Sequence, residues 1–297
     1  MGAHEAKKAI HEFRLYLRDQ ARTRSASWPA APRLVQNVAL AITADQLEPP
    51  IRLREVADTL QINIECRVSP SKRHLGKLIP QLGGFTAVVY GQLRSTVEEQ
   101  GEFSLLTRGL TKNSTSSTQL HLNRRGRFTV AHEFGHTLFY DAPEPESTPA
   151  RIVPARQASR DAMWREEGLC DAFARAVLIP STWRTAVGDK PSFANLIEAS
   201  SYFHVAGEHL LHRIIHDWKM WDSAIFVRAD VRSLGTRYKI FRGSRRRNEA
   251  IGPTRNQIMS SIGDLTSPEA VALRLGAMLL RPSKDILIHK NVVWIKM

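Results

Sequence analysis

The sequence predicts an α+β fold: a small sheet with separate helices, followed by a basic module of the same class. Three observations carry this expectation. Apolar residues recur at helical spacing near the amino terminus, in "FTVAHEFGHTLFY" (128–140) and in "EEGLCDAFARAVLIP" (166–180). Short β-rich runs, "INIECRV", "FTAVVYG" and "QLHLN", stand ahead of the second of these helices. Beyond residue 216, "SAIFVRAD", "RYKIFRG" and "NVVWIKM" read as strands and "SPEAVALRLGAMLL" as a helix.

In chain order, residues 1–50 open with "HEAKKAIHEFRLYLRDQ", where Ala6, Ile10, Phe13 and Leu17 line one face among charges. That pattern is an amphipathic helix rather than a secretory signal. Residues 51–216 hold the β-rich runs and the two following helices. Within them, "TKNSTSST" (111–118) and the proline-rich 141–156 read as loops, and the second loop joins the two helices at the border of any cleft between them. Residues 119–123 are the candidate edge strand for holding an extended peptide, an ordinary core strand being the alternative. Residues 217–297 form the third segment.

The helix at 128–140 raises the chemical question, because His132, Glu133 and His136 interrupt an apolar run. Residues four apart on an α-helix lie about 40° apart around the axis, so both imidazoles face one way and can meet one ion. A glutamate directly after the first histidine reaches the edge of that coordination sphere and can take a proton from a water on the metal. With 11 His in 297 residues, roughly one such chain in fifty would hold HExxH by chance, so context has to decide. Val130, Ala131, Phe134 and Leu138 supply an apolar face that buries the helix. Gly135 costs about 1 kcal/mol against alanine in a helix, which points to packing or a close approach there.

A catalytic zinc takes three protein ligands and keeps one position open. The second helix offers Glu167 and Asp171 four apart on one face, with Phe173, Ala174, Val177 and Leu178 as its apolar stripe and Pro180 as its stop. Glu167 can complete the ligand set, and Asp171 can accept the second ring N–H of a histidine and fix its tautomer. The plainer alternative is a solvated acidic first turn favoured by the helix dipole.

"RFTVAHEFGH" followed after a loop by "ExxCDAFARAVLIP" resembles the ImmA/IrrE family of bacterial and phage metallopeptidases, over about residues 50 to 216. The resemblance implies a zincin-like metallopeptidase core, with a small sheet plus active-site helices. It implies one Zn2+ per chain on His132, His136 and Glu167, with Glu133 as general base. It further implies cleavage of a helix-turn-helix transcriptional repressor in a stress or mobile-element response. Two residues depart from the family pattern: Cys170 replaces its common alanine and Asp171 its common asparagine. Cys170 is either a small buried thiol or an alternative ligand, and Glu166 is the other stand-in for Glu167.

After Pro180, "LIEASSYFHVAGEHLLHRIIH" gives two short helices around Gly207, read as packing elements rather than a DNA-reading pair. Tyr202 and His204, with His209 and His212 near by, are candidates for polarising a scissile carbonyl. The third segment carries fifteen Lys and Arg against seven Asp and Glu, a net +8 of the chain's +13. Arg242, Arg245, Arg246 and Arg247 form its densest patch, suited to nucleic acid or an acidic partner, or simply a solvated surface. Two cysteines, Cys66 and Cys170, argue against a disulfide framework. No apolar run approaches the 18 residues of a membrane span, so a cytoplasmic enzyme is expected. The reading from another class is a non-proteolytic regulator that binds DNA or a partner, with its zinc structural.

Overall fold

The computed structural model describes residues 2–23, 28–67, 76–90, 124–153, 160–189, 191–221, 223–230, 235–242, 286–289 and 292–296. Among them the fold is mixed, mostly helical, with two small sheets. The helix predicted for "SPEAVALRLGAMLL" and the candidate strand at 119–123 lie outside the described residues. The chain divides into two compact units, one of Met1–Ser181 with Tyr202–Val205, the other of Thr182–Ser201 with Ala206–Met297.

The first unit opens with helices α1 (Gly2–Thr23) and α2 (Ala31–Ile42). Ala6, Ile10, Phe13 and Leu17 are buried along one face of α1, as the helical spacing requires. α1 packs on α2, and α2 on a later helix, α5 (Arg160–Leu178). Helix α3 (Leu53–Leu60) leads into strand β1 (Ile62–Arg67). β2 (Gly76–Gln81) and β3 (Gly84–Tyr90) form a hairpin whose turn uses Gly83 at φ 74°. β3 is the middle strand, parallel to β1 and antiparallel to β2. Its buried residues, Phe85, Thr86, Ala87, Val88 and Val89, occupy both faces, which is why it reads as a continuous apolar run. β2 is an edge strand among the described residues, and Pro80, which has no N–H to donate, fits that position.

Helix α4 (Arg124–His136) lies against β2, β3 and α5. Val130, Ala131, Phe134 and Leu138 are all buried, the last in a 3₁₀ turn continuing the helix through Phe139. Arg127 is buried too; its Nη2 donates 2.6 Å to the Ile51 carbonyl and ties α4 to the segment before α3. From α1, Arg14 donates to the Thr137 carbonyl at 3.3 Å, and Arg18 pairs with Asp141 at 2.7 Å. A cation on these last carbonyls complements the negative end of the helix dipole.

α5 buries Cys170, Phe173, Ala174, Val177 and Leu178 and stops just before Pro180. At Gly135 helix α4 lies directly against α5. A Cβ there would fall 2.9 Å from the Cys170 Cα and 3.1 Å from its Cβ, so only glycine leaves room.

The second unit contains α6 (Phe193–Tyr202, whose last residue belongs to the first unit), α7 (Gly207–His212) and four strands. β4 (Ser223–Asp230), β5 (Gly235–Arg242), β6 (Ile286–His289) and β7 (Val292–Lys296) make an antiparallel sheet in the order β5-β4-β7-β6. No helix among the described residues is long and apolar enough to cross a membrane.

The two mid-helix glycines at the α4–α5 layer should respond oppositely to the same change. Gly135→Ala must push backbone away and is expected to cost about 1–3 kcal/mol. A Cβ on Gly168 meets nothing within 4 Å, so Gly168→Ala should gain up to about 1 kcal/mol from helix propensity. Urea unfolding midpoints of the two variants check this; equal shifts would show that the contact at Gly135 does not constrain the helices.

Candidate metal centre

Spacing on two helices builds the centre. α4 presents His132, Glu133 and His136; α5 presents Glu166, Glu167, Cys170 and Asp171 across the gap that Gly135 keeps narrow. On α5, Glu166 and Asp171 sit at about −100° and +40° around the axis from Glu167, so they flank it.

The histidine rings lie side by side, 5.1 Å between centroids. Both Nε2 atoms turn toward Glu167, at 3.1 Å from His132 to Oε2 and 3.7 Å from His136 to Oε1. Both Nδ1 atoms turn away, each to a carboxylate of its own. His132 Nδ1 is 2.9 Å from Asp171 Oδ1, and His136 Nδ1 is 2.9 Å from Glu166 Oε1. An ionised carboxylate only accepts, so each Nδ1 carries the hydrogen; His132 Nε2 also donates to Glu167 in the metal-free protein, and a cation would take the Nε2 lone pair in place of that proton. The carboxylates are held in turn: Arg151 Nη2 donates to Glu166 Oε2, and Arg175 Nη1 lies 3.9 Å from Asp171 Oδ2.

Cys170 reaches the same place from beneath. One donor atom each from His132, His136 and Cys170 lie within 4.8 Å of one another, a group that could hold a metal ion. Two donor sets therefore share the histidines, one closed by Glu167 and one by Cys170. The Glu167 carboxylate is half exposed and its hydrogen bond with His132 holds it below the ordinary carboxylate range. Burial pushes the Cys170 thiol well above its ordinary value, so it sits as a neutral, packed group.

Glu133 is buried under β2. The Leu78 amide donates to its carboxylate, and a side chain on Gly76 would run into it, with a Cβ 2.8 Å from Glu133 Cγ and nearer still to Oε1. Burial raises the Glu133 carboxyl, while His136 and His132 pull it back. For His132, burial disfavours the charged ring, but hydrogen bonds to Asp171 and Glu167 outweigh it and raise the pKa to about 9.

His132, Glu133, His136, Glu167 and Asp171, singled out in the sequence, are thus brought together. Tyr202 is exposed at the end of α6 with its ring 5.6 Å from that of Phe203, and His204 takes a left-handed turn at φ 52°. The hydrogen bonds of His132 and His136 go to the acidic side chains of α5 and not to these two. The rings of His212 and His216 lie 4.4 Å apart, tilted at 48°, and Arg242 ends β5. Arg245, Arg246 and Arg247 lie outside the described residues. Sequence reasoning missed Arg151 and β2, and gave Glu166 only the part of a replacement ligand. Two ligand imidazoles need two Nδ1 acceptors, and that count was the available signal for Glu166.

The His132 shift sets a pH dependence for the metal-free protein. Its folded pKa lies above the ordinary 6.5, so the stability it contributes is complete below pH 6.5 and is lost as pH rises through about 9. Thermal unfolding in the presence of chelator should show a falling Tm across that window, and His132→Gln should flatten it. An unchanged slope in the variant would rule out His132 as its source.

No family model matches this chain, and no curated protein matches it. Among solved structures, a Mycobacterium tuberculosis transcriptional regulator matches with a TM-score of 0.43 and 11% identity, over 97% of this chain and 79% of that chain. A likeness that loose leaves the centre to be read from its own residues.

Proposed function

We propose that the chain is a zinc-dependent endopeptidase with a zincin-like core, acting in the cytoplasm on a helix-turn-helix repressor or antitoxin-like regulator. One observation carries the reading: the Nε2 atoms of His132 and His136 converge on Glu167 while each Nδ1 is fixed by its own carboxylate. Two imidazoles and a carboxylate are a donor set for catalytic zinc with room for a fourth partner. When bound, zinc would supply Lewis acidity, activating a water and polarising a carbonyl.

The remaining work falls to the chain. Glu133 accepts a proton in the buried space beside the histidines, and its carboxylate is aimed by the Leu78 amide. β2 passes directly over that carboxylate, so an extended peptide paired along its outer edge has its backbone beside the base. Such a site takes an exposed linker and excludes folded helix. That preference suits a repressor cut between domains. Asp171 and Glu166 orient the histidines and touch no substrate.

The proximity of Cys170 to both histidines supports a second reading, a structural His132–His136–Cys170 site in a protein that binds DNA or a partner regulator without cleaving it. Cobalt(II) separates the two: a thiolate-to-cobalt charge-transfer band that vanishes in Cys170→Ser belongs to the second, and its absence to the first.

Zinc should bind at about one ion per chain and be lost in His132→Ala, His136→Ala and Glu167→Ala. Asp171→Asn is expected to be mild and Asp171→Leu to cost about 10–100-fold in affinity or activity. Coexpression with each neighbouring encoded regulator tests the reaction itself. Wild type should generate new termini in the regulator, and Glu133→Gln should keep fold and zinc while losing at least about 10²-fold in cleavage. A regulator left intact by both, with its DNA binding relieved in proportion to added protein, would overturn the peptidase and favour sequestration.

A further inference from the structure

We infer that Arg151, from the loop between α4 and α5, is a positioning residue that locks His136 through Glu166. The inference rests on the reading of His136 as a metal ligand. Glu166 is buried, with only 10% of its side chain exposed, and both of its oxygens are engaged. Oε1 accepts from His136 Nδ1 at 2.9 Å, and Oε2 accepts from Arg151. A carboxylate held at both oxygens cannot rotate, so the ring it holds keeps one tautomer and one direction.

Arg151 is itself fixed by the loop. Its backbone bridges to Tyr140, with Asp141 N–H to Ala150 carbonyl at 2.9 Å and Ile152 N–H to Phe139 carbonyl at 2.9 Å closing the loop on either side. The guanidinium lies 5.4 Å from the centroid of the Tyr140 ring, and that ring packs edge-on against Phe85 of β3 at 5.5 Å. The loop after the metal helix is therefore a brace reaching from the sheet to the second histidine. The partner on His132 is wetter: Asp171 is 45% exposed, with Arg175 3.9 Å from it. A dry partner transmits its geometry with less help from water, so the His136 side is the more sensitive of the two.

The test uses the full chain and zinc alone, in competition with a chromophoric chelator. Arg151→Ala should weaken zinc by about 10-fold and Glu166→Gln by about 10–100-fold, more than Asp171→Asn. Arg151→Lys should recover part of the loss, since it restores the charge without the planar fork. Histidine 15N chemical shifts supply the readout that general destabilisation would not move. In metal-free wild type His136 is the Nδ1–H tautomer, and in Arg151→Ala it becomes a mixture while His132 is unchanged. Zinc affinity within about two-fold of wild type for Arg151→Ala, or equal disturbance of both histidines, overturns the inference. If wild type binds no zinc, the metal reading falls separately, and the His136 tautomer alone decides whether Arg151 sets its orientation.

Discussion

Everything at the centre depends on how closely α4 and α5 approach at Gly135 and Cys170. With a Cβ at 135 only 2.9 Å from the neighbouring backbone, the two helices stand as near as glycine permits. At that separation the acidic side chains on α5 reach imidazoles on α4. A wider gap would leave the hydrogen bonds at 2.9–3.1 Å unmade, and the carboxylates would turn to water. The buried Cys170 side chain is the other half of the same contact. A side chain larger than cysteine would wedge the helices apart in a core that packs like a solid.

The closeness has an electrostatic cost. Glu133, Glu166, Glu167 and Asp171 surround two imidazoles, and burial of the first two requires nearby positive charge. Arg151 and Arg175 provide some of it from the side away from the Nε2 atoms. In the metal-free protein the raised pKa of His132 supplies more, by keeping a proton on the ring. A divalent cation held there would compete with that proton for the His132 Nε2 electron pair.

The sequence made the helices legible because their periodicity is strong and the chemistry recurs with it. Spacing marked His132, Glu133, His136, Glu167 and Asp171 as candidates without fixing their roles, and the cost of Gly135 inside a helix pointed to the close approach that the structure contains. Strands β1, β3, β4, β5 and β7 stood out as runs of β-branched and aromatic residues. β2 did not, since "GKLIPQ" carries a glycine, a lysine and a proline, all poor strand formers. Those residues suit an edge strand and the space beneath it: Gly76 spares Glu133, and Pro80 omits an amide. β6, four residues long, is too short for alternation to register. Arg151 had no signal, because a loop residue's partner is set by the path of the chain and not by any local period.

The fastening of α1 to the end of α4 bears on how the protein is made. Arg14 and Arg18 each find their partners 123 residues further along the chain. At about 5–20 residues per second, a ribosome takes roughly 6–25 s to supply those partners after α1 has been synthesised. During that interval Phe13, whose ring finally meets Phe139 at 5.7 Å, lacks that partner, and α1 has α2 to pack on. The nascent two-helix segment is thus a sticky intermediate with a lifetime set by translation speed. Slower codons between residues 43 and 137 would lengthen its exposure and leave the first seventh of the chain open to chaperones before α4 is complete.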